Sequence, residues 1–480
     1  MRILYVTSEA APFCKTGGLA DVLGALPPAV ARSGKDEVAV ILPLYGQIKE
    51  EWREKMHFER YIYVDLSWRH QYCGLFRLRY AGVTWYFVDN ENYFRRGSLY
   101  GSYDDGERFA FFSKAVVDLL PSLDWMPDVI HCNDWQTALV PIYLKDAAPR
   151  WEAVRGVRTV FTIHNVEYQG RFGEHTVGDL FGLHSGWWTD GTLCQSGDVN
   201  LMKGAMMVSD YVTTVSPTYA NQLHDPYYAH GMESVVDMIS GKFSGVLNGI
   251  DVKSYNPKTD KALCANYGPR TMEGKTACKA ELQESLGLHV EPDTPVVSMV
   301  TRMVGHKGMD LVCQVFDRIM ETGVQFIALG TGELQYEDFF RFQAGRYPGR
   351  VAAQIMYSES LSRRVYAGSD LFLMPSKSEP CGLSQMIAMR YGTVPIVRRT
   401  GGLNDSVHSC QMGQEDGTGF IFDSYNAEDM LCVISQASEL YRDDKKGFDQ
   451  VRYRGMTTDF SWDKSAEEYR KIYTDLIGGN

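Results

Sequence analysis

The sequence has 480 residues, of which 44% are hydrophobic and 22% are charged. A chain of this length is too long for one hydrophobic core, so we expect two or three domains. The formal net charge of −12 argues against a nucleic-acid-binding protein and against a basic protein of the membrane surface. An anionic ligand would therefore need a local basic pocket.

Ten cysteines are scattered from Cys14 to Cys432, without a CxxC pair or zinc-finger spacing. This pattern predicts free thiols in a reducing compartment. The sequence starts with a strand-like segment rather than a secretion signal, and no uncharged apolar run reaches the length of a membrane span. We expect a cytoplasmic protein without membrane or nucleic-acid partners. A transit peptide removed before Met1, and the oligomeric state, are left open.

Short apolar runs alternate with helical patterns in the first half of the chain. Strands are predicted at residues 2–8, 38–42, 83–88, 128–132, 158–163 and 211–215, with helices at 19–32, 108–120 and 200–208. Such alternation indicates a mainly parallel sheet covered on both faces. The stretch 50–80 is richer in aromatic and charged residues and predicts an antiparallel excursion.

A turn at residues 247–251 and a polar segment through Pro257, Gly268 and Pro292 precede a second series. Its predicted strands are 296–301, 325–329, 351–356, 371–374 and 394–397, and its helices are 309–320, 333–342, 361–367 and 385–391. We therefore expect an α/β protein with two Rossmann-like domains, 1–246 and 247–459, facing each other across a deep cleft. The amphipathic tail, 460–480, is expected to form a helix that packs back on the first domain.

The stretch KTGGLADV (15–22) joins the first strand to the first helix. Its glycines are expected to let the backbone turn tightly and a ligand approach. The helix N-terminus suits a phosphate group, and Lys15 adds a positive charge. TGGLND (400–405) repeats the pattern after the strand 394–397 and before a predicted helix.

Several common motifs are missing. No GxGxxG follows the first strand, and the sequence has no HExxH or GxSxG motif. GPRTMEGKT (268–276) has five residues between its glycines and follows no predicted strand, which argues against a phosphate-binding P-loop. No Asp-x-Asp pair is present to hold a metal-bound diphosphate. Protein cations would then have to replace a metal, and we expect a metal-independent reaction without other cofactors.

Two loops of the second domain leave predicted strand ends of one sheet. The loop 301–308 has two cations, Arg302 and Lys307, beside glycines, which suits a diphosphate. The loop 375–384 contains Glu379 between a strand and a helix, where its carboxylate can accept hydrogen bonds from ligand hydroxyls.

Together, KTGGLADV, TIHN with YQG, LNGID, the Arg302/Lys307 loop and SKSEPCG with RRTGGL resemble the bacterial glycogen synthases and plant starch synthases. The motifs run in that family's order from residue 15 to residue 405. The resemblance implies a retaining glycosyltransferase of the two-Rossmann GT-B architecture. It would transfer glucose from ADP-glucose to the non-reducing end of an α-1,4-glucan such as glycogen.

The resemblance also implies which residues act. Catalytic roles would fall to His164, Arg302, Lys307 and Glu379, with His164 beside the transferred glucose and both cations neutralising the diphosphate. Substrate-binding roles would fall to Lys15, Gly18, Asp21, Asp134, Trp135, Asn248, Tyr357, Cys381, Gly382, Leu383, Thr400, Gly401 and Gly402. No residue is expected to bind a metal.

Among these, Lys15 and Gly18 would touch the donor diphosphate, and Asp21 would support their loop or the acceptor side. Asp134 and Trp135 would face the acceptor or the sugar, and Asn248 would line the cleft. In the second domain, Tyr357 would stack on the nucleobase, while the 400–402 turn would bind phosphate.

Two positions depart from the family pattern. Gln136 stands where a histidine is common, and Met356 precedes Tyr357 where glycine is usual. The departure at Met356 bears on the nucleobase pocket and leaves UDP-glucose open as the donor. A glucan phosphorylase, a sucrose-type synthase and a non-catalytic glucan-binding scaffold are the alternatives. A phosphorylase would show pyridoxal-phosphate absorbance, and a scaffold would be expected to lack Lys15, Arg302 or Lys307.

Overall fold

A computed structural model describes residues 1–410 and 416–478 of the chain. It divides into two compact units, Met1–Gly249 together with the segment that begins at Trp462, and Ile250–Ser461. The sequence indicates divisions slightly earlier, after residues 246 and 459. Every cysteine is a free thiol. In the described ranges, no helix combines the length and apolar character needed to cross a membrane.

The first unit is built on a twisted sheet. The strands of the whole unit are β1 (Arg2–Val6), β2 (Glu37–Pro43), β3 (His57–Leu66), β4 (Arg69–Tyr80), β5 (Val83–Asp89), β6 (Val129–Asn133), β7 (Arg158–Ile163), β8 (Arg171–Phe172), β9 (Cys194–Gln195), β10 (Asp198–Asn200), β11 (Tyr211–Thr214) and β12 (Phe243–Gly245). Nine of them pair in the order β12-β11-β7-β6-β1-β2-β5-β4-β3. Only β3 and β4 run antiparallel to their neighbours, as the composition of 50–80 predicts.

Helices cover this sheet, and a small antiparallel sheet, β8-β10-β9, lies beside it. The α-helices are α1 (Gly18–Ala31), α2 (Glu50–Arg53), α3 (Glu91–Phe94), α4 (Asp105–Leu119), α5 (Leu139–Ala147), α6 (Thr176–Asp179), α7 (Gly186–Thr189), α8 (Leu201–Val208), α9 (Pro217–Gln222), α10 (Pro226–Ala229) and α11 (Glu233–Met238). Single 3-10 turns occupy Leu120–Ser122, Trp135–Thr137, Glu152–Val154 and Ser240–Lys242. Because helices cover both faces of the central strands, β1 is a continuous apolar run rather than an alternating one.

The second unit contains a fully parallel sheet in the order β15-β14-β13-β16-β17-β18. The strands are β13 (Val296–Val300), β14 (Gln325–Leu329), β15 (Val351–Gln354), β16 (Leu371–Met374), β17 (Val394–Arg398) and β18 (Phe420–Phe422). The helices are α12 (Glu273–Ser285), α13 (Met309–Glu321), α14 (Leu334–Arg346), α15 (Glu359–Gly368), α16 (Ser384–Arg390), α17 (Gly401–Ser406), α18 (Ala427–Asp443) and α19 (Lys445–Thr457), with a 3-10 turn at Gly305–Lys307. The predicted fold class, α/β with two Rossmann-like parallel sheets, is confirmed.

Helix α12 lies in the segment where the sequence indicates only a polar connection, so that expectation is wrong. The sequence pattern does not predict this helix because its buried face includes two lysines. Lys275 Nζ donates to the carbonyl oxygens of Ala367 at 2.8 Å and Tyr391 at 3.1 Å. Lys279 Nζ lies 2.8 Å from a carboxylate oxygen of Asp370. The lysine of the GPRTMEGKT stretch is therefore a buried structural group, and burial holds its pKa well below the usual value.

The final helix, α20 (Trp462–Gly478), packs on α1 within the first unit. It also reaches the strands beneath α1, because the Tyr473 hydroxyl lies 2.7 Å from His131 Nδ1 and 3.0 Å from the Tyr5 hydroxyl. All three side chains are buried. The amphipathic pattern of the tail therefore serves a packing role in this unit.

Candidate active site

The KTGG turn of the first unit is anchored by Glu9, a residue to which the sequence assigned no role. Glu9 follows β1 and is buried. One of its carboxylate oxygens accepts hydrogen bonds from the Thr16 amide at 2.6 Å and the Thr16 hydroxyl at 2.7 Å. The Gly17 amide also donates to this carboxyl, although burial outweighs these bonds and raises the pKa of Glu9. A buried acceptor thus fixes the backbone between Lys15 and α1.

Lys15 and Asp21 form an ion pair, with Nζ and Oδ1 2.6 Å apart, at the start of α1. This contact supports the loop role proposed for Asp21. The backbone bends at Thr16 and Gly17 before α1, but Gly17 has an extended φ of −153°, which any residue can adopt, so this bend does not require glycine. A Cβ atom added to Gly18 would meet nothing within 4 Å. The space around Gly18 is therefore open to a ligand.

Asp134 has a backbone conformation that its residue type rarely adopts. Its φ is 57° and its ψ is 176°, values that cost energy outside glycine and that cluster at functional sites. The carboxylate accepts a hydrogen bond from the His164 amide at 2.8 Å. Burial raises the pKa of Asp134 to about 7, opposed by the His164 and Asn165 amides and assisted by nearby Glu9. The residue therefore joins the carboxyl ends of β6 and β7.

The His164 side chain is oriented by Asn133. Its Nε2 is 2.9 Å from Asn133 Oδ1, an acceptor, so Nε2 holds the ring proton. Burial lowers the pKa of His164 to about 3. The imidazole is consequently neutral at pH 7. Asn133 ends β6 and was not singled out in the sequence, although its place at a parallel-strand end could have indicated it.

The ring of Trp135 packs in an aromatic cluster and is not an open surface for stacking. Its centroid is 5.4 Å from that of Phe109 and 5.9 Å from that of Phe172. A Cβ atom at Gly170 would lie 2.7 Å from the indole. These contacts indicate a packing role for most of the ring surface.

Two buried amides of the first unit have an unused oxygen. Gln136 Oε1 and Asn248 Oδ1 have no hydrogen-bond partner among the described residues. A buried unpaired acceptor is costly, so a donor from a ligand or a water molecule that reached either oxygen would stabilise it. For Asn248 this agrees with the substrate-binding role expected from the sequence.

In the second unit, the structure brings the two predicted loops together. Lys307 Nζ lies 2.6 Å from Glu379 Oε2, and the Ser376 hydroxyl donates to the same oxygen at 3.0 Å. Gly308 has a φ of +77°, and a Cβ atom there would lie 2.2 Å from the Pro375 carbonyl oxygen. Glycine is therefore required where the loop after β13 crosses the loop after β16. Ser376 was missed because a serine in a polar loop is common.

Arg302 differs from Lys307 because its side chain is exposed. Across residues 1–410 and 416–478, its guanidinium makes no hydrogen bond or ion pair. The carbonyl of Arg302 instead accepts a bond from the Val304 amide at 3.0 Å, which fixes the loop backbone. The five N–H donors of Arg302 are thus available to an anion.

The TGGL repeat at 400–403 begins α17, a helix of six residues. A Cβ atom would lie 1.9 Å from the Glu379 carbonyl oxygen at Gly401, and 2.2 Å from that of Cys381 at Gly402. The Gly402 amide donates to the Glu379 carbonyl at 3.2 Å. These glycines let α17 pack against the backbone that holds Glu379, so they position the carboxylate whether or not Thr400 contacts phosphate.

The remaining candidates differ in exposure. Gly382 has a φ of +70° at the start of α16, Cys381 is buried, and Leu383 is half-buried. Tyr357 is 78% exposed, so one face of its ring is free for stacking. Arg398, which the sequence did not indicate, is buried and donates from Nη1 to the Lys377 carbonyl at 2.6 Å, supporting the Glu379 loop from below.

The second unit brings a basic loop and a paired carboxylate together at the ends of parallel strands, an arrangement suited to a diphosphate-linked sugar, and the chain matches two family models of glycosyltransferases. Residues 2–238 match the family described as the starch synthase catalytic domain, and residues 286–447 match glycosyl transferases group 1. The chain belongs to the family of glycogen synthases and starch synthases.

Relatives cover the whole chain. It is 46% identical over 480 residues to a glycogen synthase of Anoxybacillus flavithermus, covering 100% of this chain and 99% of the relative. It is 47% identical to a glycogen synthase of Geobacillus thermodenitrificans over 99% of this chain and 98% of the relative. The catalytic domain of starch synthase IV from Arabidopsis thaliana, bound to ADP and acarbose, superposes with a TM-score of 0.91 at 34% identity, covering 99% of each chain.

Proposed function

We propose that this protein transfers glucose from ADP-glucose to the non-reducing end of an α-1,4-glucan, with retention of configuration. The observation that supports the proposal most strongly is identity of 46% with a glycogen synthase over the full chain. The Arabidopsis relative binds ADP and acarbose, which is the pairing of nucleotide and sugar that this reaction requires. We assign acceptor binding to residues 1–246 and donor binding to residues 247–459.

In the proposed reaction, the acceptor hydroxyl oxygen bonds to the anomeric carbon while the bond from that carbon to the diphosphate breaks. The hydroxyl proton passes to a departing diphosphate oxygen, and attack on the same face retains the configuration. Negative charge grows on the diphosphate as the bond breaks. Lys307, which is held by its pair with Glu379, would act as a fixed cation that stabilises this charge without reorganising, and Arg302 on the same loop would add a second positive charge.

Glu379 and His164 act on the sugar in this proposal. The Glu379 carboxylate has Oε2 occupied by Lys307 and Ser376. Its other oxygen can accept hydrogen bonds from glucose hydroxyls. His164 is neutral because burial lowers its pKa to about 3, so it can lie beside a developing oxocarbenium ion without adding positive charge. Lys15 and the open space at Gly18 would contact the donor diphosphate.

One assay tests the reaction. Purified protein is mixed with glycogen and either ADP-glucose or UDP-glucose, and nucleoside diphosphate release is measured. We expect release with ADP-glucose and new α-1,4 linkages that an exo-acting α-glucosidase removes. Excess EDTA should leave the rate nearly unchanged. Release of glucose 1-phosphate from glycogen and phosphate would instead indicate a phosphorylase, and loss of activity in EDTA restored by magnesium would refute metal independence.

A further inference from the structure

Two free cysteines of the second unit lie in contact with each other. Cys264 Sγ is 3.8 Å from Cys278 Sγ, although the two residues are fourteen positions apart in the chain. Cys278 belongs to α12, and Cys264 lies in a bend that precedes this helix, outside any helix or strand. Neither residue lies in a loop that contains a candidate site residue. The site described above therefore does not account for this contact.

The two thiols differ in their exposure. Cys264 is exposed, whereas Cys278 is 3% exposed. The Cys278 thiol donates to the carbonyl oxygen of Ala265 at 3.3 Å, so its side chain points toward the segment that contains Cys264. Burial raises the pKa of Cys278 to about 11. Of the two thiols, Cys264 is therefore the one that a reagent in solution meets first.

The bend around Cys264 is held in place by the residues that follow it. The side chain of Asn266 donates to the carbonyl oxygen of Asp260 at 2.9 Å, which closes the bend. The next residue, Tyr267, is buried, and its hydroxyl donates to the Tyr391 carbonyl at 2.8 Å. These contacts keep Cys264 beside α12.

Helix α12 is fixed on the other side of the pair. One turn before and just after Cys278, two buried lysines bond to the body of the unit. Lys275 Nζ donates to the Thr393 hydroxyl at 2.9 Å, and Lys279 Nζ lies 2.8 Å from Asp370. Thr393 and Asp370 directly precede β17 and β16, whereas the candidate site lies in loops that follow the strands. The cysteine pair is therefore at the opposite edge of the sheet from the site.

We propose that Cys264 and Cys278 form a reversible redox site, which a hydroperoxide such as hydrogen peroxide converts to a disulfide. The distance between the two Sγ atoms has to shorten from 3.8 Å to about 2 Å. Rotation of the two side chains and a small shift of the bend supply this change, since Cys264 lies outside regular structure. The inference goes beyond the proposed transfer reaction and does not depend on it.

The oxidation has two steps. The Cys264 thiolate attacks one peroxide oxygen, the O–O bond breaks, and Cys264 becomes a sulfenic acid while the hydroxide that leaves takes up the thiol proton as water. The Cys278 sulfur then attacks the Cys264 sulfur, forms the S–S bond and displaces hydroxide, which takes up the Cys278 proton as a second water. The two thiols lose two electrons and two protons, and one peroxide is reduced to two water molecules. An external thiol reverses the change by two exchange steps.

The disulfide stabilises the second unit without changing its active-site loops. A cross-link between residues fourteen positions apart restricts the unfolded chain and so favours the folded state. It also joins the bend covalently to α12. The loops that contain Lys307 and Glu379 lie at the other edge of the sheet, so turnover is the same in the oxidised and reduced protein.

The test treats fully reduced wild-type protein with hydrogen peroxide and compares it with Cys264→Ser and Cys278→Ala. Cys432→Ser is the matched control, because Cys432 is likewise exposed but lies on α18. Peptide mapping without reductant detects cross-links, and dimedone captures sulfenic acids. Thermal unfolding followed by circular dichroism measures stability.

In the wild-type protein we expect a cross-link between the peptides of Cys264 and Cys278 that dithiothreitol reverses. The midpoint of thermal unfolding should rise by about 5 °C or more on oxidation. Cys432→Ser should behave in the same way. Cys278→Ala should instead accumulate a dimedone-labelled sulfenic acid at Cys264, because the second step is blocked. Cys264→Ser should show neither the cross-link nor a label at Cys278.

Conversion of Cys264 to a sulfinic acid in the wild-type protein, without the cross-link, would overturn the proposal, because Cys278 would then not reach it. A cross-link between Cys264 residues of two chains would overturn it as well. A Cys264–Cys278 cross-link that lowers the unfolding midpoint would contradict the stabilising role. Cross-linking, labelling and unfolding require no glucose transfer, so these measurements stand even if the transfer assay with ADP-glucose fails.

Discussion

The three cations expected at the donor differ in how the protein holds them. In the first unit, Lys15 pairs with Asp21 at a partly exposed position. In the second unit, Lys307 pairs with the buried Glu379, whereas the Arg302 guanidinium has no partner among the described residues. A paired cation positions a carboxylate as well as supplying charge, and an unpaired one supplies charge alone. Substitutions should separate these two contributions.

The largest effect is expected for Lys307→Ala. Loss of one preorganised charge donor typically lowers turnover by about 10² to 10³. This substitution also leaves Glu379 buried with the Ser376 hydroxyl as its one side-chain partner among the described residues, which should cost about 1–3 kcal/mol of stability. Turnover at saturating donor and denaturant unfolding measure the two effects. Glu379→Gln added to Lys307→Ala should recover stability without activity, and recovery of both would contradict the assignment.

Arg302→Ala should reduce turnover by a similar factor, about 10² to 10³, but leave stability within about 0.5 kcal/mol of wild type. The reason is that no described residue bonds to its guanidinium. Arg302→Lys should restore activity only in part, because an ammonium group lacks the planar fork that grips two oxygens. Kinetics with circular dichroism as a fold control provide the measurement. Near-full turnover in Arg302→Ala would mean that the loop is structural.

A double variant of Arg302 and Lys307 tests whether both cations stabilise the same charge. Because both act on the same developing charge, the double variant should lose less than the product of the two single losses. Full multiplicativity would indicate that they stabilise different parts of the reaction.

A smaller effect is expected for Lys15→Gln, which removes the charge and keeps a polar side chain one atom shorter. We expect the KM for ADP-glucose to rise about tenfold, the equivalent of one charge-assisted hydrogen bond, while glycogen affinity stays near wild type. Stability should change little, since ion pairs as exposed as Lys15 with Asp21 contribute less than about 1 kcal/mol. A change in glycogen affinity alone would show that Lys15 does not contact the donor.

The sequence alone was sufficient to predict the limits of several buried strands. The predicted limits 158–163, 325–329 and 371–374 coincide with β7, β14 and β16, because strands buried on both faces are uninterrupted apolar runs. Helix α12 could not be found in this way, since its buried Lys275 is satisfied by carbonyl groups 92 and 116 residues away in the sequence. Such a lysine looks like a surface residue until its partners are known.

In the candidate site, too, the sequence did not reveal contacts between residues that are distant along the chain. Motif resemblance indicated Lys307 and Glu379 separately, but their contact spans 72 residues and no periodicity links them. Glu9 was missed because its role lies in accepting hydrogen bonds from Thr16, seven residues on, and local patterns do not specify that geometry. The backbone strain at Asp134 likewise has no sequence signature. Residue types could therefore be predicted, but not the contacts that orient them.

The smallest effect concerns the pH dependence of stability in the first unit, where the pKa values of three side chains are shifted. Burial lowers the pKa of His131 and of His164 to about 3, and raises the pKa of Asp134 to about 7. Between about pH 4.5 and 6, the unfolded chain binds two protons at the histidines that the folded protein lacks. The folded protein binds one at Asp134 that the unfolded chain has lost.

These groups together make stability rise with pH by a net one proton, about 1.4 kcal/mol per pH unit. The Asp134 contribution alone has the opposite sign: it is present at low pH and is lost as the pH rises toward 7. Asp134→Asn removes it, and the amide oxygen can still accept the His164 N–H bond. The slope of unfolding free energy against pH should therefore steepen by about 1.4 kcal/mol per pH unit. Tryptophan fluorescence during urea unfolding at several pH values between about 4.8 and 6 measures it within the titration window. Parallel slopes for the two proteins would show that Asp134 is ionised throughout this range in the folded protein, and would contradict the raised pKa.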